Sequence, residues 1–239
     1  MTRILAIDTS TAWCSVALSL GEKEPVLRHE LVSAGASQLV LPWVQSLLTQ
    51  AHLPLQVLDA IAVGIGPGAF TGVRLGVAVV QGLAISYDLP ILPVASVDAI
   101  AAQLVQMPTF QPAHVKHFVV AIDARMDEVY WAKYEANPIQ SALPVRLGEI
   151  NVSKPEGVNL QGIQLIAGSA IPIHGKRLLA SVSSPIDMVE EIELSALGLL
   201  LCAKEMYAKG MQCKVNELEP LYVRNKVALT TVERQEAFK

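Results

Sequence analysis

A short motif occurs twice in the chain, once near the start and once near the middle. Residues 4–8 read ILAID and residues 118–123 read FVVAID, so the triplet Ala-Ile-Asp returns after about half the chain. Each copy reads as an apolar strand, is followed by a polar turn and a second strand, and precedes alternating helices and strands. This repetition predicts two structurally duplicated α/β domains. The alternative is a single doubly wound sheet in which the triplet matches by chance.

The spacing of apolar residues predicts the elements of both halves. In the first half we expect strands at residues 3–9, 14–20, 25–32, 60–65 and 91–94, and helices at 37–50, 73–86 and 97–106. Ser37 and Ser96 are the expected N-caps of the first and third of these helices. In the second half we expect strands at 118–123, 129–132, 144–152 and 164–167, and helices at 170–180 and 195–209. A proline-containing linker at 108–112 places the domains at 1–107 and 108–239, with the last helix and tail able to pack back on the first domain.

The composition limits the kinds of surface that the folded chain can expose. Of the 239 residues, 52% are hydrophobic and 17% are charged, against about 25% charged in ordinary soluble domains. This composition excludes disorder and predicts apolar surface that another molecule covers. The formal net charge is -4. The chain therefore lacks the positive field that would hold a nucleic acid by itself.

The cysteines, the histidines and the N-terminus exclude further classes. Three scattered cysteines form neither a disulfide framework nor a metal knuckle, and they indicate a reducing cytoplasm. The first apolar run ends at Asp8, too early for a signal peptide, and no apolar stretch is long enough to cross a membrane. The one close histidine pair, His114 and His117, has no neighbouring carboxylate before Asp123. We therefore expect a cytoplasmic protein without a membrane span and without a metal site.

Turns at the ends of several predicted strands resemble a nucleotide site. In actin-like and sugar-kinase-like ATPases, a strand that ends in Asp and a hydroxyl-rich turn bind phosphates and a hydrated metal ion. The turns here contain no glycine, and the loop that would hold adenosine has one glycine instead of two. We therefore expect a degenerate nucleotide site, consisting of Asp8, Thr9, Ser10, Thr11, Gly66, Gly68, Asp123 and Gly168. The alternative is that the two aspartates only cap turns.

Residues 66–76 read GPGAFTGVRLG, and this string resembles the signature of the TsaB family within the actin-like superfamily. The segments at 4–18, 121–132 and 219–225 are similar to the opening, the second-domain opening and the closing motif of that family, so the likeness covers nearly the whole chain. Two positions depart from the family pattern. Ala36 stands where relatives usually carry His, and Ala69 stands where Ser is more familiar.

The resemblance implies a duplicated actin-like fold of the ASKHA, ribonuclease H-like type, with mixed sheets flanked by helices. It also implies a non-catalytic subunit that heterodimerises with and activates the catalytic paralogue TsaD. With the ATPase TsaE, that pair would transfer threonylcarbamoyl to N6 of the adenosine beside the tRNA anticodon. The metal-binding His-x-x-x-His of the paralogue has no counterpart here, because residues 95–100 read ASVDAI.

From this resemblance we expect no metal and no cofactor, except for weak nucleotide binding at the subunit interface. Contact with tRNA is expected only through the complex, and the chain alone is expected to be able to form a homodimer. The rival function is an actin-like ATP-dependent phosphotransferase or ATPase on a small molecule, which rests on Asp8 and Asp123. A metallopeptidase activity is excluded because its ligands are missing.

The helix after the glycine-rich turn is apolar nearly all round, so both of its sides need cover. One face carries small and apolar residues at three- and four-residue spacing. We expect this face to contact the partner subunit through Gly72, Arg74, Gly76, Val79, Val80 and Leu83. The alternative is that the neighbouring helix at 37–50 covers it within the same domain.

Overall fold

The computed structural model describes residues 2–32, 35–108, 110, 115–136, 143–180, 182, 186 and 188–224. The first half forms a five-stranded sheet in the order β3-β2-β1-β4-β5. Its strands are β1 (Arg3–Asp8), β2 (Trp13–Leu20), β3 (Val26–Leu31), β4 (Ala60–Gly66) and β5 (Ile91–Ala95). The first three strands pair antiparallel, whereas β4 pairs parallel with both β1 and β5.

The second half repeats this sheet with the same connections. Its strands are β6 (His117–Arg125), β7 (Glu128–Glu135), β8 (Val145–Ser153), β9 (Leu165–Ala167) and β10 (Met188–Glu190). The order β8-β7-β6-β9-β10 matches that of the first sheet strand for strand, again with an antiparallel meander followed by parallel strands. The predicted duplicated actin-like α/β fold is therefore confirmed, and the single doubly wound sheet is wrong. The short strand β10 is an addition that the sequence pattern did not predict.

Five helices flank the sheets: α1 (Ala36–Gln50), α2 (Phe70–Ile85), α3 (Ser96–Leu104), α4 (Ile171–Leu178) and α5 (Ala196–Ala208). Helices α1 and α2 cover one face of the first sheet, around buried residues such as Val40 and Val80. Helices α3 and α5 cover its other face and form a common core with the second sheet. No helix in the described part of the chain is long and apolar enough to span a membrane.

The core between the two sheets joins the halves firmly. Helix α5 follows the second sheet in sequence but packs mainly on β1 and α3 of the first half. A polar cluster adds to this contact, because Tyr134 donates to Asp98 at 2.7 Å and Arg146 pairs with the same carboxylate at 3.1 Å. Burial raises the pKa of Asp98. The domain boundary at residue 107 stays a prediction.

Three helix starts differ from the sequence expectation. Helix α1 begins at Ala36 after Gly35 in a left-handed conformation, so Ser37 lies inside the helix and is not its N-cap. Ser96 is likewise the first residue of α3, and its hydroxyl lies 3.2 Å from that of Ser10 instead of capping the helix. Helix α2 begins at Phe70, three residues before the predicted start. For α2 and α3, a contact with the turn after β1 takes precedence over the local signal.

Candidate functional site: the cleft and the outer face of α2

A cavity of about 570 Å³ lies between the two halves. Its walls are the turn after β1, the loop before α2, the turn after β6, the loop before α4, and residues 220–224. Of the predicted nucleotide residues, four line this cavity: Ser10, Thr11, Gly68 and Asp123. The other four do not line it: Asp8, Thr9, Gly66 and Gly168. The structure therefore brings together only part of the predicted site.

Asp8 is fully buried and does not line the cavity. One carboxylate oxygen accepts the backbone N–H of Ser10 at 3.1 Å, while the other has no hydrogen-bond partner among the described residues. The unpartnered oxygen packs on Gly64, where an added Cβ would be only 2.0 Å away. Burial raises the pKa of Asp8 to about 7, because desolvation outweighs the hydrogen bond from Ser10. This carboxyl is poorly suited to bind a hydrated metal ion in the cleft.

Two glycines let the loop before α2 approach the turn after β1. A Cβ on Gly68 would lie 2.2 Å from the carbonyl oxygen of Ser10, which accepts the N–H of Ala69 at 2.6 Å. A Cβ on Gly72 would lie 2.0 Å from the carbonyl oxygen of Thr9. The glycines that we predicted for anion binding and partner contact thus serve close packing within the chain.

The second wall of the cleft is a hairpin turn with an unusual backbone. Arg125, Met126 and Asp127 all have positive φ angles, of 58°, 53° and 62°. Non-glycine residues rarely adopt this left-handed conformation, and each costs about 1 kcal/mol or more. At the base of the turn, Asp123 accepts the Arg125 N–H at 3.2 Å, and the ring of His174 lies 3.2 Å from the same oxygen. The turn that binds phosphate in actin-like ATPases is here a strained, glycine-free hairpin.

The described residues contain no group of three or more His, Cys, Asp or Glu side chains arranged to hold a metal ion. His117 lies on β6, whereas His114, its predicted neighbour, is outside the described residues. The charged residues next to the hairpin turn are paired with arginines: Asp127 with Arg177, and Glu128 with Arg224.

Part of the α2 face that we predicted for partner contact is turned inward, whereas the partner contact itself stays a prediction. Val80 is fully buried beneath α1, and Gly76 lies against Thr9. Gly72 packs against the carbonyl oxygen of Thr9 in the same turn. Val79 and Leu83 pack partly on the cluster around α1, as the intramolecular alternative proposed. Of the six predicted residues, Arg74 lies at the cleft, where its guanidinium stacks on Phe70 and donates to the Tyr222 hydroxyl at 2.6 Å.

A different stripe of α2 faces outward, and its residues were not among those predicted for partner contact. Its residues, which are exposed or partly exposed, are Thr71, Leu75, Ala78, Gly82 and Ile85. Ile85 is 71% exposed, and a Cβ on Gly82 would meet nothing within 4 Å. The spacing of four, three, four and three residues is the heptad pattern of a helix that packs along a partner helix. The residues that we predicted for partner contact have a similar spacing, so spacing alone did not distinguish the two faces.

Comparison with curated proteins decides the family. Over 233 residues the chain is 35% identical to the tRNA threonylcarbamoyladenosine biosynthesis protein TsaB of Escherichia coli (strain K12), covering 95% of this chain and 96% of that protein. The TsaB protein of Haemophilus influenzae (strain ATCC 51907 / DSM 11121 / KW20 / Rd) is 33% identical and is covered to 94%. The chain belongs to the TsaB family. The family that the sequence motifs predicted is confirmed.

Solved structures and a family model agree with the TsaB assignment. The structure described as YeaZ from Pseudomonas aeruginosa is 34% identical, with a TM-score of 0.81 over 93% of this chain and all of that chain. The family model TsaD, described as tRNA N6-adenosine threonylcarbamoyltransferase, matches residues 30–149. The match to this model spans the first sheet's α1, α2 and α3 and the start of the second sheet.

The two departures from the TsaB pattern lie at the starts of α1 and α2. Ala36 is the first residue of α1 and packs partly against the core beneath α1 and α2. Ala69 is the N-cap residue of α2 and offers no side-chain hydrogen bond to the helix. Alanine at an N-cap is less favourable than serine by about 1 kcal/mol. The close contact with Ser10 fixes this end of the helix instead.

Proposed function

We propose that this TsaB-family chain acts in the biosynthesis of threonylcarbamoyladenosine in tRNA, the process for which its Escherichia coli and Haemophilus influenzae relatives are named. We propose further that it is a non-catalytic subunit, which heterodimerises with a TsaD-type catalytic subunit and activates it in cooperation with a TsaE-type ATPase. Contact with tRNA would then occur through the complex.

The outer face of α1 and α2 is the observation that carries this proposal. The two helices lie side by side, and Arg74 is the only charged residue in either of them. Leu41 on α1 is 48% exposed and Ile85 on α2 is 71% exposed. A groove of about 390 Å³ lies beside α1, lined mostly by α1 and residues 53–55, and Leu83 of α2 reaches its edge. Charge is depleted from the cores of protein interfaces, so this face suits a partner helix pair.

The TsaD match supports a pseudo-symmetric form of this contact. The family model of the catalytic enzyme matches the segment that contains α1 and α2. A TsaD-type protein would thus present related helices, and two apolar helix pairs would form a four-helix contact. A second copy of this chain would offer the same face, which is the basis for expecting a homodimer when the partner is missing.

The buried position of Asp8 supports a non-catalytic role over an ATP-dependent phosphotransferase. A phosphotransferase of the actin-like type needs this carboxylate charged and facing the cleft. Here Asp8 lies beneath Gly64, outside the cavity, with a pKa raised to about 7 by burial. In addition, residues 95–100 contain no histidine where the catalytic paralogue carries its metal-binding motif, and the Ser96 hydroxyl lies 3.2 Å from that of Ser10.

Co-purification tests the proposal. The purified chain is mixed with the TsaD-type protein of the same organism at about 10 μM each, a concentration at which specific subunit pairs of this interface type assemble. We expect one species of combined mass in size exclusion with light scattering, and formation of modified tRNA when the TsaE-type protein, ATP and the threonylcarbamoyl donor are added. Separate elution of the two proteins would contradict the proposal, as would full activity of the TsaD-type protein without this chain.

A further inference from the structure

The last described segment, residues 218–224, crosses from the first half of the molecule to the second. In the first half, the Leu221 N–H donates to the carbonyl oxygen of Ile65 at 2.8 Å, and Gln81 on α2 donates to the carbonyl oxygen of Leu218 at 3.2 Å. The hydroxyl of Tyr222 accepts from Arg74 at 2.6 Å. The segment is therefore attached to both β4 and α2.

In the second half, the side chain of Arg224 makes the polar contacts of the described segment. The guanidinium of Arg224 donates to the carbonyl oxygen of Ala124 at 3.2 Å, contacts the Met126 sulfur at 3.5 Å, and pairs with Glu128. It also lies 5.9 Å from the ring centre of Tyr130. The Arg224 side chain is only 16% exposed, so these interactions are far less screened by water than those of a surface ion pair.

Arg224 contacts the part of the cleft wall whose backbone conformation is least favourable by itself. Its partners surround the turn at residues 125–127, in which three consecutive non-glycine residues have positive φ. Such a conformation persists only where neighbouring groups impose it. Arg177 on α4 forms an ion pair with Asp127 of the same turn, but Arg177 belongs to the second half and does not cross the cleft. Among the described residues, Arg224 is the one whose side-chain contacts connect the strained turn with this segment, and so with the first half.

We propose that residues 218–224 form a strap that fastens α2 and β4 to the turn after β6 and holds this wall of the cleft in place, with Arg224 as its attachment to the turn. Residues 220–224 line the cavity, so the strap is also part of its wall. Release of Arg224 loosens both the strap and the strained turn. The two ends are coupled, so loss of the contacts at one end loosens the other.

Hydrogen–deuterium exchange of the full chain tests the coupling. In Arg224→Gln we expect the backbone amides of the turn at 122–128 to exchange about tenfold faster. We expect the same acceleration in the strap and in the first turn of α2, with which Arg224 has no described contact. Arg177→Gln is the matched control, because it removes the other arginine that pairs with this turn. It should accelerate exchange around Asp127 and Glu156 and leave the strap unchanged.

Tyr222→Phe tests the coupling from the opposite end, because it removes only the hydroxyl that accepts from Arg74. We expect faster exchange in the turn at 122–128 in this variant as well. If Arg224→Gln loosens only the turn, or Tyr222→Phe leaves the turn unchanged, Arg224 is a local ion pair and the strap proposal is overturned. If Arg224→Gln unfolds the chain, Glu128→Gln takes its place in the experiment. That variant keeps the Arg224 guanidinium and removes the carboxylate with which it pairs, and the same criteria apply.

Discussion

The hydroxyl of Thr9 donates a hydrogen bond to the carbonyl oxygen of Gly72 at 2.7 Å, and the Thr9 carbonyl oxygen lies where a Cβ of residue 72 would be. This pair fixes the rotation of α2 about its own axis. With Gly72 and Gly76 facing the turn after β1, Val80 is buried under α1 and the stripe from Thr71 to Ile85 faces solvent. The orientation of the proposed partner surface thus follows from one contact inside the first half.

Replacing glycine by alanine at two positions of α2 tests this contact. Gly72→Ala places a Cβ about 2.0 Å from a backbone oxygen, so we expect the free energy of unfolding to fall by about 1–3 kcal/mol. Gly82→Ala is the matched control in the same helix. Its Cβ meets open space, so the variant should be up to about 1 kcal/mol more stable than the parent. Denaturant unfolding measures both, and a Gly72→Ala variant as stable as the parent would show that the helix does not need this contact.

The buried carboxyl of Asp8 predicts a pH dependence of stability. Because burial raises its pKa to about 7 from an ordinary value of 3.8, the folded state binds this proton more tightly than the unfolded state. The free energy of unfolding should therefore fall as pH rises from about 4 to about 7, by roughly 1.4 kcal/mol for each unit of pKa difference. Asp8→Asn removes this titration, so it should flatten the profile and be more stable than the parent at pH 8. Parallel profiles for the two proteins would contradict the account.

The cleft geometry predicts weak binding of nucleotide. Neither turn contains glycine, the second is strained, and Asp8 does not face the cavity. We expect the isolated chain to bind Mg-ATP with a dissociation constant above about 1 mM and to hydrolyse none. Isothermal titration calorimetry and phosphate release measure these. Micromolar binding that Asp8→Ala abolishes would favour the phosphotransferase instead.

The charge of the chain predicts that it does not bind tRNA alone. A net charge of -4 gives little release of counterions from phosphates. In gel-shift assays at physiological salt, we expect a shift with the TsaD-type protein present and none with this chain by itself. A tight complex of tRNA with the isolated chain would contradict the idea that its partner supplies the phosphate contacts.

The positions of most strands were predictable from sequence because they depend on local signals. The repeated Ala-Ile-Asp triplet marked β1 and β6, and apolar runs marked the buried strands around them. The glycine-rich string at 66–76 identified the family because it is long and specific. The N-caps at Ser37 and Ser96 were wrong, because both residues lie inside their helices, and the Ser96 hydroxyl contacts that of Ser10.

The orientation of groups at the site was not predictable from the same patterns. Helix α2 is apolar all round, so periodicity alone could not tell whether Gly76 faces a partner or Thr9. Nothing near Asp8 in sequence shows that its carboxyl packs on Gly64, which lies on a neighbouring strand. The contact of Arg224 with the strained turn joins positions about 100 residues apart, beyond the reach of any local pattern.

Gly82→Arg tests whether the outward stripe of α2 binds the TsaD-type partner. Residue 82 meets open space, and arginine favours a helix more than glycine does, so the variant should fold with an unchanged or higher melting temperature. Gln161→Arg, which adds the same charge to an exposed position in the second half, is the control. In calorimetric titration with the TsaD-type protein, we predict that Gly82→Arg weakens binding at least about 100-fold, the effect of a buried unpaired charge, and that Gln161→Arg binds like the parent. Unchanged binding by a folded Gly82→Arg variant would contradict the claim.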